Sequence, residues 1–305
     1  MRNVIVTIFI IFLTFAQHGN LLADEEFITI SGSVENKSSG SNSSKEYSIK
    51  LFKIEDISGE IIEISKTKTV KSQFFLTNVS VNTEDQLFLV TENEGLSVIT
   101  DLIATENLIA TEKWDDLIIT IYDRETSLEN ITFTEYSLMI PQINLHENKI
   151  SVLGLITMTN IGDKTFQADI SNPNLTGFDL LRFSLPEGYS ELNVDSDLPS
   201  GTVMEIPTGF ALSNPVPPGT YQIIFSYTSI LDNSSFSFKL KFPFGADKVR
   251  ILMNAPSGAI KGNGLSSVEK IKIDQDYYTI SEGTNYERGS FIDLNLSSFP
   301  KTQGV

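Results

Sequence analysis

Cysteine is absent from the 305 residues, histidine occurs twice and tryptophan once, and 22 basic residues face 39 acidic ones. The missing thiol excludes disulfides, Cys-ligated zinc, thiolate catalysis and a lipoprotein anchor on this chain. The net charge of −17 argues against nucleic acid as a partner, because phosphate binding needs a basic face. Helical periodicity is scarce after the first twenty residues. What is present is ordinary globular composition, 40% hydrophobic and 20% charged, in a length that suggests about two domains.

The N-terminus reads as an address. Arg2 precedes an almost unbroken apolar run from Val4 to Phe15, the size of a signal-peptide core and short for a membrane span. Small residues at cleavage spacing follow, Thr14 and Ala16 or Leu21 and Ala23, before the acidic start Asp24-Glu25-Glu26. Residues 1–23 are therefore read as a signal helix, removed on the way to an extracytoplasmic location: periplasm, outer membrane face or medium. Its removal takes Arg2 away, making the charge one unit more negative, and leaves His146 as the secure imidazole, since His18 lies at the cut end.

The remainder alternates apolar and polar residues in short runs. The pattern predicts strands at 27–34, 47–54, 61–64, 73–76, 86–90 and 117–122, the last well buried, with Gly32 as a bulge. The Ser/Asn/Gly cluster 36–45 reads as a loop. For 103–112, which echoes Ile-Ala-Thr-Glu, one or two helical turns and a loop with a short strand both stay open. Further strands are predicted at 132–140, 149–159, 180–185, 202–206, 220–229, 235–242, 248–254, 268–273, 277–280 and 290–296. Pro217-Pro218-Gly219 forces a turn before the strand at Tyr221. The expected fold is all-β: the signal helix, then tandem β-sandwiches of immunoglobulin or transthyretin type. The boundary falls in Asp123–Asn130, giving domains 24–125 and 126–300, the latter as one sandwich or two, and a tail at 301–305.

Several phrases carry a resemblance. They are Ile28-Thr-Ile-Ser-Gly-Ser-Val34, Thr159-Asn-Ile-Gly-Asp-Lys-Thr-Phe166, Leu181-Arg-Phe-Ser-Leu-Pro-Glu-Gly188 and Gly209-Phe-Ala-Leu-Ser-Asn-Pro-Val-Pro-Pro-Gly219. Gln222-Ile-Ile-Phe-Ser-Tyr227, Phe242-Pro-Phe-Gly-Ala-Asp-Lys-Val249 and Leu294-Asn-Leu-Ser-Ser-Phe-Pro300 continue the order. Together the set resembles secreted bacterial proteins with a carboxypeptidase regulatory-like domain, a transthyretin-like β-sandwich, followed by a second β domain. The resemblance implies that 24–125 is that module and that the protein is a non-enzymatic envelope component with a protein partner. Relatives often continue into a C-terminal membrane helix; no apolar stretch precedes Val305, so membrane association is expected only through a segment beyond it.

Candidate chemistry is thin. His146, in Asn144-Leu-His-Glu-Asn148, reads as an exposed turn residue; neither a Gly-x-Ser-x-Gly elbow nor a His-Glu-x-x-His zinc motif accompanies it. No catalytic residue, resident metal or cofactor is assigned. Asn193, Asp195 and Asp197 alternate and form a weak calcium candidate, without the glycine and twelfth-position Glu of an EF-hand, against the plainer reading of an Asp-rich turn. Asp274 and Asp276 are a weaker pair. Trp114 reads as core or interdomain packing, and most of the 20 Phe and 9 Tyr as core. Three classes stay open: a non-catalytic interaction module, a glycan- or calcium-binding sandwich, and a hydrolase with a carboxylate pair.

Overall fold

The computed structural model describes residues 26–42, 45–55, 58–172, 179–232, 235–254, 258–267, 270–273 and 276–299. The signal segment 1–23, the tail 301–305 and Asp274 lie outside them. The described chain is nearly all β, with one four-residue helix, α1 (Glu106–Ile109), and none long and apolar enough to cross a membrane. Its contacts divide it into two compact units, discontinuous in sequence. One holds the chain up to Ser33 with Glu46–Thr91 and Ile99–Ile118; the other holds Val34–Lys45, Glu92–Val98 and everything from Ile119. The single boundary expected at 125/126 is thus replaced by a division that crosses the chain several times.

The strands up to residue 121 are β1 (Glu26–Asn36), β2 (Ser48–Ile54), β3 (Ile61–Lys68), β4 (Gln73–Val81), β5 (Gln86–Asn93), β6 (Leu96–Ile99), β7 (Ile103–Ala104) and β8 (Lys113–Ile121); the first unit holds β2, β3, β4 and β7 whole and most of β1, β5 and β8, while β6 falls mainly in the second. They form two sheets, ordered β4-β1-β8 and β3-β2-β5-β6, with β7 beside β5. Each sheet buries one face because apolar residues alternate: Ile28 and Ile30 on β1, Phe74 and Leu76 on β4, Ile49 and Leu51 on β2, Leu87 and Leu89 on β5. Three expectations change in detail. The register shift in β1 lies between Ile28 and Ile30, and Gly32 pairs regularly with Phe74. Strand β8 is half-buried, since Ile119 and Ile121 face the core while Ile118 points out at 60% exposure. Residues 103–112 hold both open readings at once, β7 followed by α1.

The second unit continues with β9 (Arg124–Glu125), β10 (Ile131–Asn144), β11 (Lys149–Asn160), β12 (Thr165–Phe166), β13 (Leu181–Ser184), β14 (Ser190–Ser196), β15 (Val203–Ile206), β16 (Gly209–Leu212) and β17 (Gly219–Ile230). It closes with β18 (Phe236–Phe242), β19 (Ala246–Met253), β20 (Ala259–Lys261), β21 (Ser266–Ser267), β22 (Ile271–Ile273), β23 (Asp276–Tyr286) and β24 (Ser290–Ser297). A large sheet runs β14-β17-β11-β10-β19-β23-β21, with β22 on β23 and a parallel step between β10 and β19. Two three-stranded sheets, β13-β16-β15 and β18-β24-β20, share one apolar core with its inner face. Phe133, Tyr136, Phe166, Phe183, Phe210, Phe225 and Phe242 are the largest side chains fully buried there, and Phe183 stacks on Phe210 at 4.7 Å between centroids.

Loops are tied by backbone-directed polar groups. Buried Asn160 donates through Nδ2 to the carbonyls of Lys164 and Val216 and accepts the Gly162 amide at Oδ1, fixing the Asn-Ile-Gly-Asp-Lys-Thr turn. Arg288, in the β23–β24 turn, donates to the carbonyls of Ile131 at 2.6 Å, Leu128 at 2.7 Å and Phe244 at 3.3 Å. The Leu128 and Ile131 carbonyls, at the end of the polar stretch that begins at Asp123, are thereby satisfied.

Candidate functional site

The predicted site residues are scattered. His146 is exposed in the β10–β11 turn, its amide donating to Asn144 Oδ1 at 3.1 Å. Asn193 and Asp195 lie on β14, an edge strand where a turn was one reading; Leu192 and Val194 are partly buried against the core and the intervening residues point outward. Asn193, Asp195 and the following Asp197 are exposed in a row, and same-face positions of a strand stand roughly 6–7 Å apart, a line in place of a cage. Asp195 Oδ1 accepts the Ser196 amide at 2.9 Å and Asp197 Oδ1 the Gln222 amide at 2.7 Å. Among the described residues no group of three or more His, Asp or Glu gathers as a metal site. Asp276 is exposed at the start of β23, and Trp114 is half-buried on β8.

Two features that sequence reasoning missed stand out, both in the second unit. The first is the outer face of the large sheet. Leu155 on β11 pairs with Ile224 on β17, and Leu153 with Met139 on β10, which pairs with Leu252 on β19. Leu153, Leu155 and Ile224 are 38%, 39% and 43% exposed. Directly opposed strand residues touch, so these side chains form a continuous apolar stripe. An ion network flanks it: Arg250 Nε donates to Glu282 Oε1 at 2.6 Å, Arg250 Nη1 lies 3.3 Å from Glu135 and Lys248 3.5 Å from Glu282. Hydrogen bonding from Arg250, then the charges of Arg250 and Lys248, holds the Glu282 carboxyl below its ordinary range against some desolvation.

The second feature is a cleft of about 300 Å³ in the opposite layer, between β13 and β18, lined by Arg182, Ser184, Ile206, Thr208, Lys241 and Pro243 among others. No ladder joins these strands; the Lys241 amide donates instead to Ser184 Oγ at 2.9 Å. The β15–β16 hairpin forms one wall. Gly209 opens β16 at φ +139°, where a Cβ would collide with the Phe183 carbonyl oxygen, so glycine is required. The Tyr189 hydroxyl donates to the carbonyls of Gly209 at 2.8 Å and Ile206 at 3.1 Å, and burial, then Glu205, raises its pKa.

No family model matches the chain, and no curated protein matches it. Among solved structures it is similar to a two-domain M1 zinc metallopeptidase bound to L-tryptophan, at 10% identity over 55% of this chain and 43% of that one, TM-score 0.33. An M1 zinc metallopeptidase from Deinococcus radiodurans gives 10% identity, 55% and 42% coverage and TM-score 0.33. A serine-rich repeat adhesion glycoprotein from Streptococcus agalactiae gives 10% identity, 72% and 91% coverage and TM-score 0.20. The chain thus spans less than half the length of these metallopeptidases, and likeness at this level carries no argument about chemistry.

Proposed function

We propose that this protein is a non-catalytic, extracytoplasmic interaction module of a bacterial cell envelope, with β domains of immunoglobulin or transthyretin-like type. The observation that carries the reading is the apolar stripe Ile224–Leu155 and Leu153–Met139–Leu252. A strand face turned to water ordinarily carries polar side chains, and contiguous exposed apolar area marks contact surfaces. The chain is acidic overall, at a net charge of −17, so a partner face that is apolar at its centre and not strongly acidic at its rim fits it. The Arg2–Phe15 layout supports the location. The mature N-terminus of exported protein is expected between Gln17 and Glu25; intact Met1 on cytoplasmic protein would remove that part of the reading.

The test of function is capture from envelope extract with wild type and with Leu155→Lys, an exposed position whose substitution leaves the core untouched. The expected result is a partner recovered by wild type and lost by the variant. Equal recovery by both places the contact elsewhere and defeats the assignment. Turnover of a glycoside, ester or peptide that disappears with one carboxylate replacement overturns the non-catalytic reading.

A further inference from the structure

We propose that the cleft between β13 and β18 is a binding site for a small organic anion: an oxyanion group, carboxylate or phosphate, on a compact carbon skeleton. The inference goes beyond the partner-binding reading and is independent of it, because the cleft lies on the opposite layer from the apolar stripe.

Its lining is the first argument. Among the described residues no Asp or Glu lines this cleft, while two cations, Arg182 and Lys241, do. A concave site with low-dielectric walls concentrates the field of such cations. Lys239, one step along the same outward face of β18, adds a third charge nearby, shared with Asp293 at 3.9 Å and lying 4.1 Å over the Phe291 ring.

Hydrogen-bonding capacity is the second. Ser184 Oγ accepts the Lys241 amide, and a hydroxyl that accepts still has its own proton to donate. Thr208 adds a second hydroxyl and Lys241 a mobile ammonium, three donors with Ser184 in the cleft wall. Ile206 and Pro243 form the apolar part of the lining, which would take carbon and not a second charge. The volume, about 300 Å³, is at the small end of ligand sites, which excludes a polymer threaded through it.

Rigidity is the third. The Lys241–Ser184 bond pins the two strands across the gap, and Tyr189 pins the hairpin wall at two carbonyls. Donors held in place before a ligand arrives cost less ordering on binding.

Titration calorimetry on the full chain, with glucuronate, glucose 6-phosphate, glucose and inorganic phosphate as probes, tests the site. Saturable binding of glucuronate or glucose 6-phosphate is expected, weakening as NaCl is raised. Which of the two binds more tightly distinguishes carboxylate from phosphate. Lys241→Gln and Thr208→Val should each weaken it, the charge change by about tenfold or more. Lys261→Gln, an exposed cation on β20, should leave it unchanged. Glucose binding as tightly as its anionic relatives, inorganic phosphate alone matching them, or equal losses in Lys241→Gln and Lys261→Gln would each overturn the proposal. Arg182→Gln is informative where its melting temperature is that of wild type; Lys241→Gln decides otherwise.

Discussion

Gly154 on β11 stands directly opposite Phe225 on β17, and the Phe225 ring occupies the space that a side chain at 154 would need. The ring is fully buried and packs on Phe210 at 5.4 Å and on Tyr136 at 6.5 Å, so it has nowhere to withdraw. Gly154→Ala is therefore expected to destabilise the second unit by about 1–3 kcal/mol through overpacking. A chemical denaturation series checks this. Phe225→Leu should recover part of the loss in the Gly154→Ala background, although it costs stability alone. Additive losses would show that the ring is not the obstacle.

Acid should weaken the Arg250–Glu282 pair in a defined sense. The folded Glu282 carboxyl titrates below its unfolded value, chiefly through the Arg250 hydrogen bond. Its contribution is then fully present above the unfolded pKa and is lost as pH falls through the folded one. Glu282→Gln should be less stable than wild type near neutral pH, and the gap should close as pH drops below the ordinary carboxylate range. Urea midpoints at matched pH values measure it; a gap that widens in acid contradicts the assignment.

Much of the second unit was legible from alternation: β10, β11, β17, β18 and β24 stand where apolar residues recur at every second position. Strand β14 was hidden because its outward positions carry Glu191, Asn193 and Asp195, and Asp-rich stretches read as turns until pairing with β17 is known. Strand β16 was hidden for the opposite reason: Gly-Phe-Ala-Leu is buried at all four positions and shows no period. The apolar stripe did leave a trace, since Val152-Leu-Gly-Leu-Ile156 breaks the alternation that a half-exposed strand should keep. The cleft left none. Arg182 and Lys241 each read as an ordinary outward charge, and a hydrogen bond spanning 57 positions brings their strands together.

The Arg288 guanidinium reaches three carbonyls from Leu128, Ile131 and Phe244, a fan that a lysine ammonium cannot reproduce with the same planarity. Arg288→Lys is expected to cost about 1–3 kcal/mol, since hydrogen bonds from a charged donor are lost while the charge is kept. Hydrogen exchange should rise at the amides of 128–131 first. Unchanged protection there, with a full loss elsewhere, would assign the effect to something other than the clamp.

Tyr136 is buried in the core and its hydroxyl has no protein hydrogen-bond partner among the described residues. Burial pushes its pKa far above the ordinary phenol value, so it stays neutral. An unpartnered buried hydroxyl is a cost, and its ring contacts with Phe133 and Phe242 survive its removal. Tyr136→Phe is expected to leave stability unchanged or raise it by about 1 kcal/mol. A clear loss in the melting temperature would mean that the hydroxyl is satisfied.

The hairpin beside the cleft gives an ordering of two variants. Gly209 holds a φ that L side chains rarely adopt, and its Cβ would strike the Phe183 backbone, which cannot rotate away as a side chain can. Gly209→Ala must therefore shift β16 off β13, breaking the pairing of Ser184 with residue 209 and moving one wall of the cleft. Tyr189→Phe removes only the one hydroxyl proton, shared between the Gly209 and Ile206 carbonyls, and keeps the backbone path, a loss of about 1–2 kcal/mol. Stability should therefore fall further in Gly209→Ala than in Tyr189→Phe. The near-ultraviolet circular dichroism of the packed Phe183–Phe210 pair should change only in the former. If Tyr189→Phe proves the more damaging, the hydroxyl holds the hairpin and the backbone conformation at Gly209 follows from it.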